Sequence, residues 1–361
     1  MDIFESTRGY EKWMARHIQI VRADLAFKHT VMAQSVFSFF RGTYYRWVQL
    51  IAEMGGRSTP QVFGVGDLHV ENFGTWRDTE GRLIWGVNDF DEAYPQPYFL
   101  DLLRLAASAH VATYAEHLEI RPRRASELIW EGYTQTLKEG GRPFTLEENN
   151  TFLRNAALGE LRDPVRFWTR IQQLPDCGKT LPVQAKRALI ESLPAADLPT
   201  RFKSRRSGVG SLGRPRFVAL AEWRGSLVAR EAKAVLPSAY AWARGSDTHD
   251  TWIARIVKTA VRIPDPFAHI ENGWIIRRLS PHCSRIELSS LSQGRDEERL
   301  LHAMGCETAN IHLGSRRAIK SIVRDVDKRP ARFLHRAAKE IVGTTMRDWM
   351  AWKSGLSKLP S

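Results

Sequence analysis

Residues Gly64–Glu92 read GVGDLHVENFGTWRDTEGRLIWGVNDFDE. An apolar run, Val62, Phe63 and Val65, leads into Gly66-Asp67, and Asn72 follows five residues after Asp67. A turn at Glu80-Gly81 precedes the strand-like Leu83–Val87, which delivers the acidic cluster Asn88-Asp89-Phe90-Asp91. Asp and Asn are common turn residues, because their side chains bond nearby backbone. What sets this stretch apart is its context: a strand before Asp67, a hairpin carrying Asp89, and the start of an amphipathic helix at Asp101–Ala106. Asp67 is placed to accept a proton from an attacking hydroxyl. Asn72 and Asp89 offer hard oxygen ligands of the kind magnesium takes.

The Asp67-to-Asn72 spacing equals that of a kinase catalytic loop, and Asp89 stands where the metal-binding aspartate would follow. Further along, Ser207-Gly208-Val209-Gly210-Ser211-Leu212-Gly213 precedes strand-like Phe217–Leu220, a turn at Arg224-Gly225 and strand-like Leu227–Ala229. Glycines let backbone amides approach phosphate oxygens, and Arg230 on the next strand supplies a cation. The expected phosphate-binding set is therefore Gly208, Gly210, Ser211, Gly213 and Arg230.

Composition sets the outer bounds. The 361 residues carry 53 Lys and Arg against 40 Asp and Glu, a formal net charge of +13, which points to an anionic partner. The basic clusters are not interleaved with aromatics, so nucleic acid is an unlikely partner. Hydrophobic content of 43 %, with 12 Trp and 16 Phe, supports a sizeable core. No apolar run is long enough to span a membrane, and the first residues do not read as a secretory leader. The three cysteines lie far apart, and the expected location is the cytoplasm.

The order of the parts is unusual. Residues 8–53 read as helical, three helices are expected between Asp101 and about Gly159, and Thr145-Leu146-Glu147-Glu148 resembles a helix capping box. The glycine-rich stretch comes about 140 residues after Asp67, whereas protein kinases place it first. The sequence thus predicts an α+β chain with a permuted kinase-like arrangement. Residues 1–200 form a mostly helical catalytic lobe, 201–282 a small antiparallel β lobe, and 283–361 are C-terminal helices returning to the catalytic lobe.

MAQSVFSFFRG at 32–42, GDLHVENFG at 66–74, NDFDE at 88–92, DLLRLAAS at 101–108, GVGSLG at 208–213 and REAKAVLPSA at 230–239 together resemble the bacterial family called domain of unknown function 2252. The resemblance covers about residues 30–320. It implies a protein-kinase-like, aminoglycoside-phosphotransferase-like fold with a nucleotide site, and leaves the substrate open. It also implies that Asp101 braces the catalytic loop. Where that family usually has lysine this chain has Arg230, and Lys233, three residues further along the strand, is expected to face the other side.

The expected function is phosphoryl transfer from ATP, with Mg2+, to a hydroxyl acceptor on a small molecule or a protein. Asp67 is the base, Asn72 and Asp89 hold the metal, and the glycine-rich stretch with Arg230 holds the phosphates. His69 is expected to brace the loop, Asp91 to be a second carboxylate or a turn residue, and Arg41 to pair with a loop carboxylate or an anionic substrate. The alternatives are a nucleotide-binding pseudokinase with a regulatory role and a nucleotidyl (AMP) transferase.

Overall fold

The computed structural model describes residues 1–52, 59–147, 149–157, 163–246, 251–283, 295–330 and 332–355. The chain opens with four helices, α1 (Ile3–His17), α2 (Arg22–Gln34), α3 (Val36–Gly42) and α4 (Tyr44–Ile51). Four short strands follow, β1 (Gln61–Gly64), β2 (Phe73–Arg77), β3 (Leu83–Val87) and β4 (Tyr94–Pro97). Next come α5 (Phe99–Tyr114), α6 (Pro122–Glu139), β5 (Phe144–Thr145), α7 (Thr151–Ala157), α8 (Pro164–Gln172) and α9 (Val183–Glu191). A second strand-rich stretch holds β6 (Thr200–Ser204), β7 (Arg216–Trp223) and β8 (Ser226–Ala234). Helices α10 (Ala239–Ala243) and α11 (Ile253–Thr259) separate these from β9 (His269–Glu271) and β10 (Trp274–Leu279). Helices α12 (Arg295–His312), α13 (Ile319–Lys328) and α14 (Phe333–Gly355) end the chain. This is the expected α+β mixture of helices with small antiparallel sheets.

Local signals set the boundaries. A reciprocal capping box between Asp2 and Glu5 starts α1, and the Ser35 hydroxyl caps α3. Pro122 opens α6 and left-handed Gly140 closes it. Thr145, expected as a helix cap, is instead a strand residue. Its pairing with Ile84 puts it at the edge of the β2–β3 sheet, and α7 starts only at Thr151. Glu148 of that capping-box reading and Gly159 at the expected helix end lie outside the described residues.

Helix α5 is the axis of the helical body, with residues 99–112 all buried. A helix apolar on every face belongs inside, and α3, α6 and α14 surround it. The main core joins side chains from α1–α5 to others on α10–α14, so the two ends of the chain share one interior. The strand-rich stretch forms a five-stranded antiparallel sheet in the order β6-β7-β8-β10-β9. On one face Phe217, Ala219, Ala232 and Ile276 pack against Ala185, Ala188 and Leu189 of α9. On the other, Val218, Leu220, Ala229 and Leu279 pack against Phe167 and Ile171 of α8. A lobe boundary at residue 200 therefore falls inside this packed unit, because α8 and α9 cover the sheet rather than the helical body. No helix among the described residues is long and apolar enough to cross a membrane.

Helix α12 supports β3 from below with a buried acid. Glu307 accepts from the Val87 amide at 3.3 Å and from Asn310 Nδ2 at 3.1 Å, and a Cβ at Gly86 would run into its carboxylate. Burial, only partly offset by Arg262, pushes Glu307 up from 4.5 to about 7. The native state thus holds this proton more tightly than the unfolded chain. That stabilisation is complete below pH 4.5 and is lost as pH rises through 7. Glu307→Gln is expected to raise Tm at pH 8.5 by on the order of 2 °C, with the gain disappearing below pH 5, as read by thermal denaturation.

Candidate active site

The Gly66–Asn72 loop is held at both ends by buried polar groups. Asp101, the third residue of α5, accepts from the Val65 and Gly66 amides at 2.7 and 2.9 Å, from Gln96 Nε2 at 2.6 Å, and pairs with His312 Nε2 at 3.0 Å. It braces the loop from inside the helix. Gly66 has φ +87°, and a Cβ there would strike the Glu92 carbonyl, so only glycine fits. His69 Nδ1 accepts from the Glu71 amide at 3.2 Å, and Arg41 pairs with the Glu71 carboxylate. Asn72 Nδ2 donates to the Asp67 and Asp89 carbonyls at 3.0 and 3.2 Å, and the Asn88 amide donates to the Asn72 carbonyl at 3.2 Å. The β2–β3 hairpin thereby brings Asp89 back beside the loop, and Asn72 borders the cleft.

Asp67 is held by Arg104, a residue the sequence reading quoted in DLLRLAAS without giving it a role. Arg104 Nε and Nη2 donate to Asp67 Oδ1 at 3.0 and 2.7 Å, and Nη2 also reaches the Phe40 carbonyl at 2.7 Å. The guanidinium lies 3.5 Å from the Phe40 ring centroid and 4.9 Å from that of Trp47. Burial raises the Asp67 carboxyl above its usual value, against the opposing pull of Arg104 and Arg41.

The glycine-rich stretch joins β6 to β7 and comes down onto this loop. A Cβ at Gly210 would lie 3.7 Å from Asp67 Oδ2 and 3.1 Å from the Arg41 carbonyl. Lys28 Nζ donates to the Gly210 carbonyl at 3.4 Å, and burial pushes Lys28 down to about 8. Gly208, Gly210 and Ser211 wall a small cavity of about 70 Å³ together with Asp67, Asn72 and Asp89. Gly213 does not reach it: at φ +94° it turns the chain against Leu25 of α2, and its carbonyl accepts from Val21.

The sheet places the expected phosphate cation, Arg230, away from the acidic cluster. Arg230 lies on the α9 face, where Nε donates to the Ser192 carbonyl at 2.8 Å and the guanidinium stacks on Phe267. Lys233 lies on the opposite face, and that is the face that meets the acidic cluster. Its Nζ sits 2.6 Å from Asp91 Oδ2 and 3.4 Å from Asp89 Oδ1. Arg214 holds Asp91 Oδ2 at 3.1 Å and Glu92 Oε1 at 2.8 Å. Burial works to raise Asp89, but Lys233, the Asp91 hydrogen bond and Arg277 together hold it below the usual carboxylate range. Burial and the neighbouring Asp89 push Asp91 up instead. The Asp89 side chain is 42 % exposed and opens into a cleft of about 1060 Å³ between the sheet and the loops.

Two residues before Lys233 on the same face, Glu231 is completely buried and ionised. Burial alone would raise its pKa; Arg216, Arg277 and Arg205 hold it well below the usual value. Arg216 also donates to Ser211 Oγ at 2.8 Å, tying the glycine-rich turn to the sheet. Among the described residues no three His, Cys, Asp or Glu side chains are arranged around a metal ion. Lys233→Met would leave Asp91 with the Arg214 contact at 3.1 Å but without its closer lysine, at a cost of about 2–4 kcal/mol at pH 7. The penalty should shrink toward pH 3 as the carboxylates protonate, which urea denaturation at the two pH values checks.

No curated protein and no solved structure matches the chain. Residues 20–166, which carry α2–α7, the Asp67 loop, the Asp89 hairpin and Arg104, match the model of the family described as uncharacterized protein conserved in bacteria, domain of unknown function 2252.

Proposed function

We propose that the chain is an ATP- and magnesium-dependent phosphotransferase with a permuted protein-kinase-like arrangement, acting on a hydroxyl acceptor. The observation that carries this reading is the meeting of Lys233 with Asp89 and Asp91. Lys233 lies on the third strand of its sheet in chain order, after the glycine-rich turn, as the phosphate-binding lysine of protein kinases does. Its partner Asp89 lies beyond Asp67 and Asn72 at kinase-like spacing.

The donor set fits the cofactor. Asp89, kept ionised and open to the cleft, and the Asn72 side-chain oxygen are hard ligands of the sort magnesium takes alongside phosphate oxygens and water. When bound, magnesium would neutralise charge on the phosphates. Lys233 then exchanges an aspartate partner for phosphate, and the backbone of Gly208–Ser211 covers it. Asp67, fixed by Arg104, orients the acceptor hydroxyl and takes its proton as the oxygen–phosphorus bond forms and the bond to the departing ADP breaks. Most of the acceleration in such a site comes from positioning and charge. The pseudokinase alternative rests on arginine replacing lysine at position 230, and the contact of Lys233 with Asp89 and Asp91 favours the transferase reading over it. Nucleotidyl transfer is separated from phosphoryl transfer by product mass, a gain of AMP against a gain of phosphate.

Asp67→Asn is expected to retain magnesium-nucleotide binding and to lose transfer by roughly 100-fold or more, measured with labelled ATP on an acceptor found by screening hydroxyl compounds. Unchanged transfer would remove Asp67 from the mechanism. Lys233→Met should abolish nucleotide protection against thermal unfolding, while Arg230→Lys should leave nucleotide affinity within about twofold, since that side chain faces α9. The opposite pattern would return the phosphate contact to Arg230.

A further inference from the structure

The cleft carries more positive charge than a nucleotide needs. Nine arginine and lysine side chains line it against four carboxylates, and Glu231 behind them offsets one more. A magnesium triphosphate brings a net charge of about −2, so the cleft would stay cationic with the nucleotide in place. The surplus is not spread evenly. Lys233, Arg205, Arg216 and Arg277 are paired with Asp89, Asp91 or Glu231, and Arg216 also holds Ser211 of the glycine-rich turn. Among the described residues, Arg262 and Arg278 are not ion-paired in this way.

Arg262 is clamped between Trp76 and Phe90, with ring centroids 4.9 and 4.8 Å from the guanidinium carbon. Its Nη2 donates to the Val87 carbonyl at 3.0 Å, but buried Nε and Nη1 have no hydrogen-bond partner among the described residues. Arg278 pairs in register with Arg230 and rests on the same Phe267 ring at 4.2 Å. Its Nη2 donates to the Arg77 carbonyl at 3.4 Å, it also borders the cleft, and its buried Nε has no hydrogen-bond partner among the described residues. A buried donor left unmade costs about 1–3 kcal/mol, more when charged, so three such N–H groups in one cleft call for an acceptor. Aromatic clamping fixes the Arg262 guanidinium in place, and a planar cationic fork matches carboxylate or phosphate oxygens. Asp265 and buried Glu307 are the nearby acids: both act on Arg262 by charge, and Asp265 also on Arg278, but neither is in ion-pair contact with these guanidiniums, and Asp265 spends one oxygen on the Phe267 amide.

We propose that this end of the cleft is a second anion subsite and that the acceptor is itself anionic, a small molecule bearing a phosphate or carboxylate that docks on Arg262 and Arg278. The proposal rests on the phosphotransferase reading only for calling this ligand the acceptor. Asn88, Phe90 and Asn72 border this cleft, and Asn72, Asp89 and Ser211 also line the small adjoining cavity that holds Asp67, toward which the acceptor's hydroxyl would point.

The experiment is thermal unfolding and calorimetry of the full chain with magnesium and a saturating non-hydrolysable ATP analogue, to which inorganic phosphate or malonate is added. A second rise in Tm is expected from one or both anions, phosphate alone indicating a phosphate-bearing acceptor and malonate alone a carboxylate-bearing one. Arg262→Gln and Arg278→Gln should each weaken that second anion at least tenfold while keeping the nucleotide's own shift. If Arg262→Gln does not fold, Arg278→Gln carries the test. The proposal is overturned if neither anion adds to the nucleotide, if the folded variants bind it as tightly as the parent, or if they lose the nucleotide shift instead. A parent protein that ignores the nucleotide but binds phosphate or malonate through Arg262 would retain the anion subsite and sink the nucleotide reading.

Discussion

The buried pair of Arg104 and Asp67 is the interaction around which the molecule is arranged. A guanidinium 1 % exposed at the centre of a helical body is costly to desolvate, and it is tolerated only with fixed partners. Those partners come from three places in the chain: the Asp67 carboxylate, the Phe40 carbonyl and the rings of Phe40, Tyr44 and Trp47. Helices α3 and α4 must therefore lie against α5, and the loop must present Asp67 at one defined point. Asp101, one turn earlier on α5, fixes the start of the same loop through two amides. One helix thus sets both the loop's backbone and its acid.

The remaining acids are placed by cations from the sheet and from the turn that precedes β7. Lys233 and Arg214 reach across to Asp91, Asp89 and Glu92, so the sheet is joined to the helical body by charge as well as by the glycine-rich turn. Glu92 is pushed up to about 6 by burial in spite of Arg214, and it also accepts from the Ala239 amide at 2.6 Å. The acidic segment 89–92 is therefore shared between the two parts of the molecule. That shared position is what a site gathered from distant stretches of chain requires.

What was legible in the sequence was what lies close together along it. Asp67, Asn72 and Asp89 are separated by a loop and one hairpin, so spacing and turn chemistry reveal their grouping. Alternation along β8 was also legible: Arg230 and Lys233 do point to opposite faces. Which face meets the acids was not, because that depends on α9 covering one side of the sheet, a contact between segments with no shared local signal. Arg104 was hidden for a related reason. An arginine in an otherwise apolar helix reads as a surface residue until its carboxylate partner is known. Arg214 and Lys28 were equally silent, each separated from its partner by more than 100 residues.

The strict two-residue alternation of β8 makes this region sensitive to chain length. Removing one residue between the Arg224-Gly225 turn and Lys233 would carry Glu231 and Lys233 round to the alanine-rich surface under α9 and swing Ala232 toward the acids. Two charges would then sit in an apolar layer and three arginines would lose their common anion. Insertions and deletions should accordingly be absorbed at the Arg224-Gly225 turn, and lineages of this chain should vary there in length while β8 keeps its residue count.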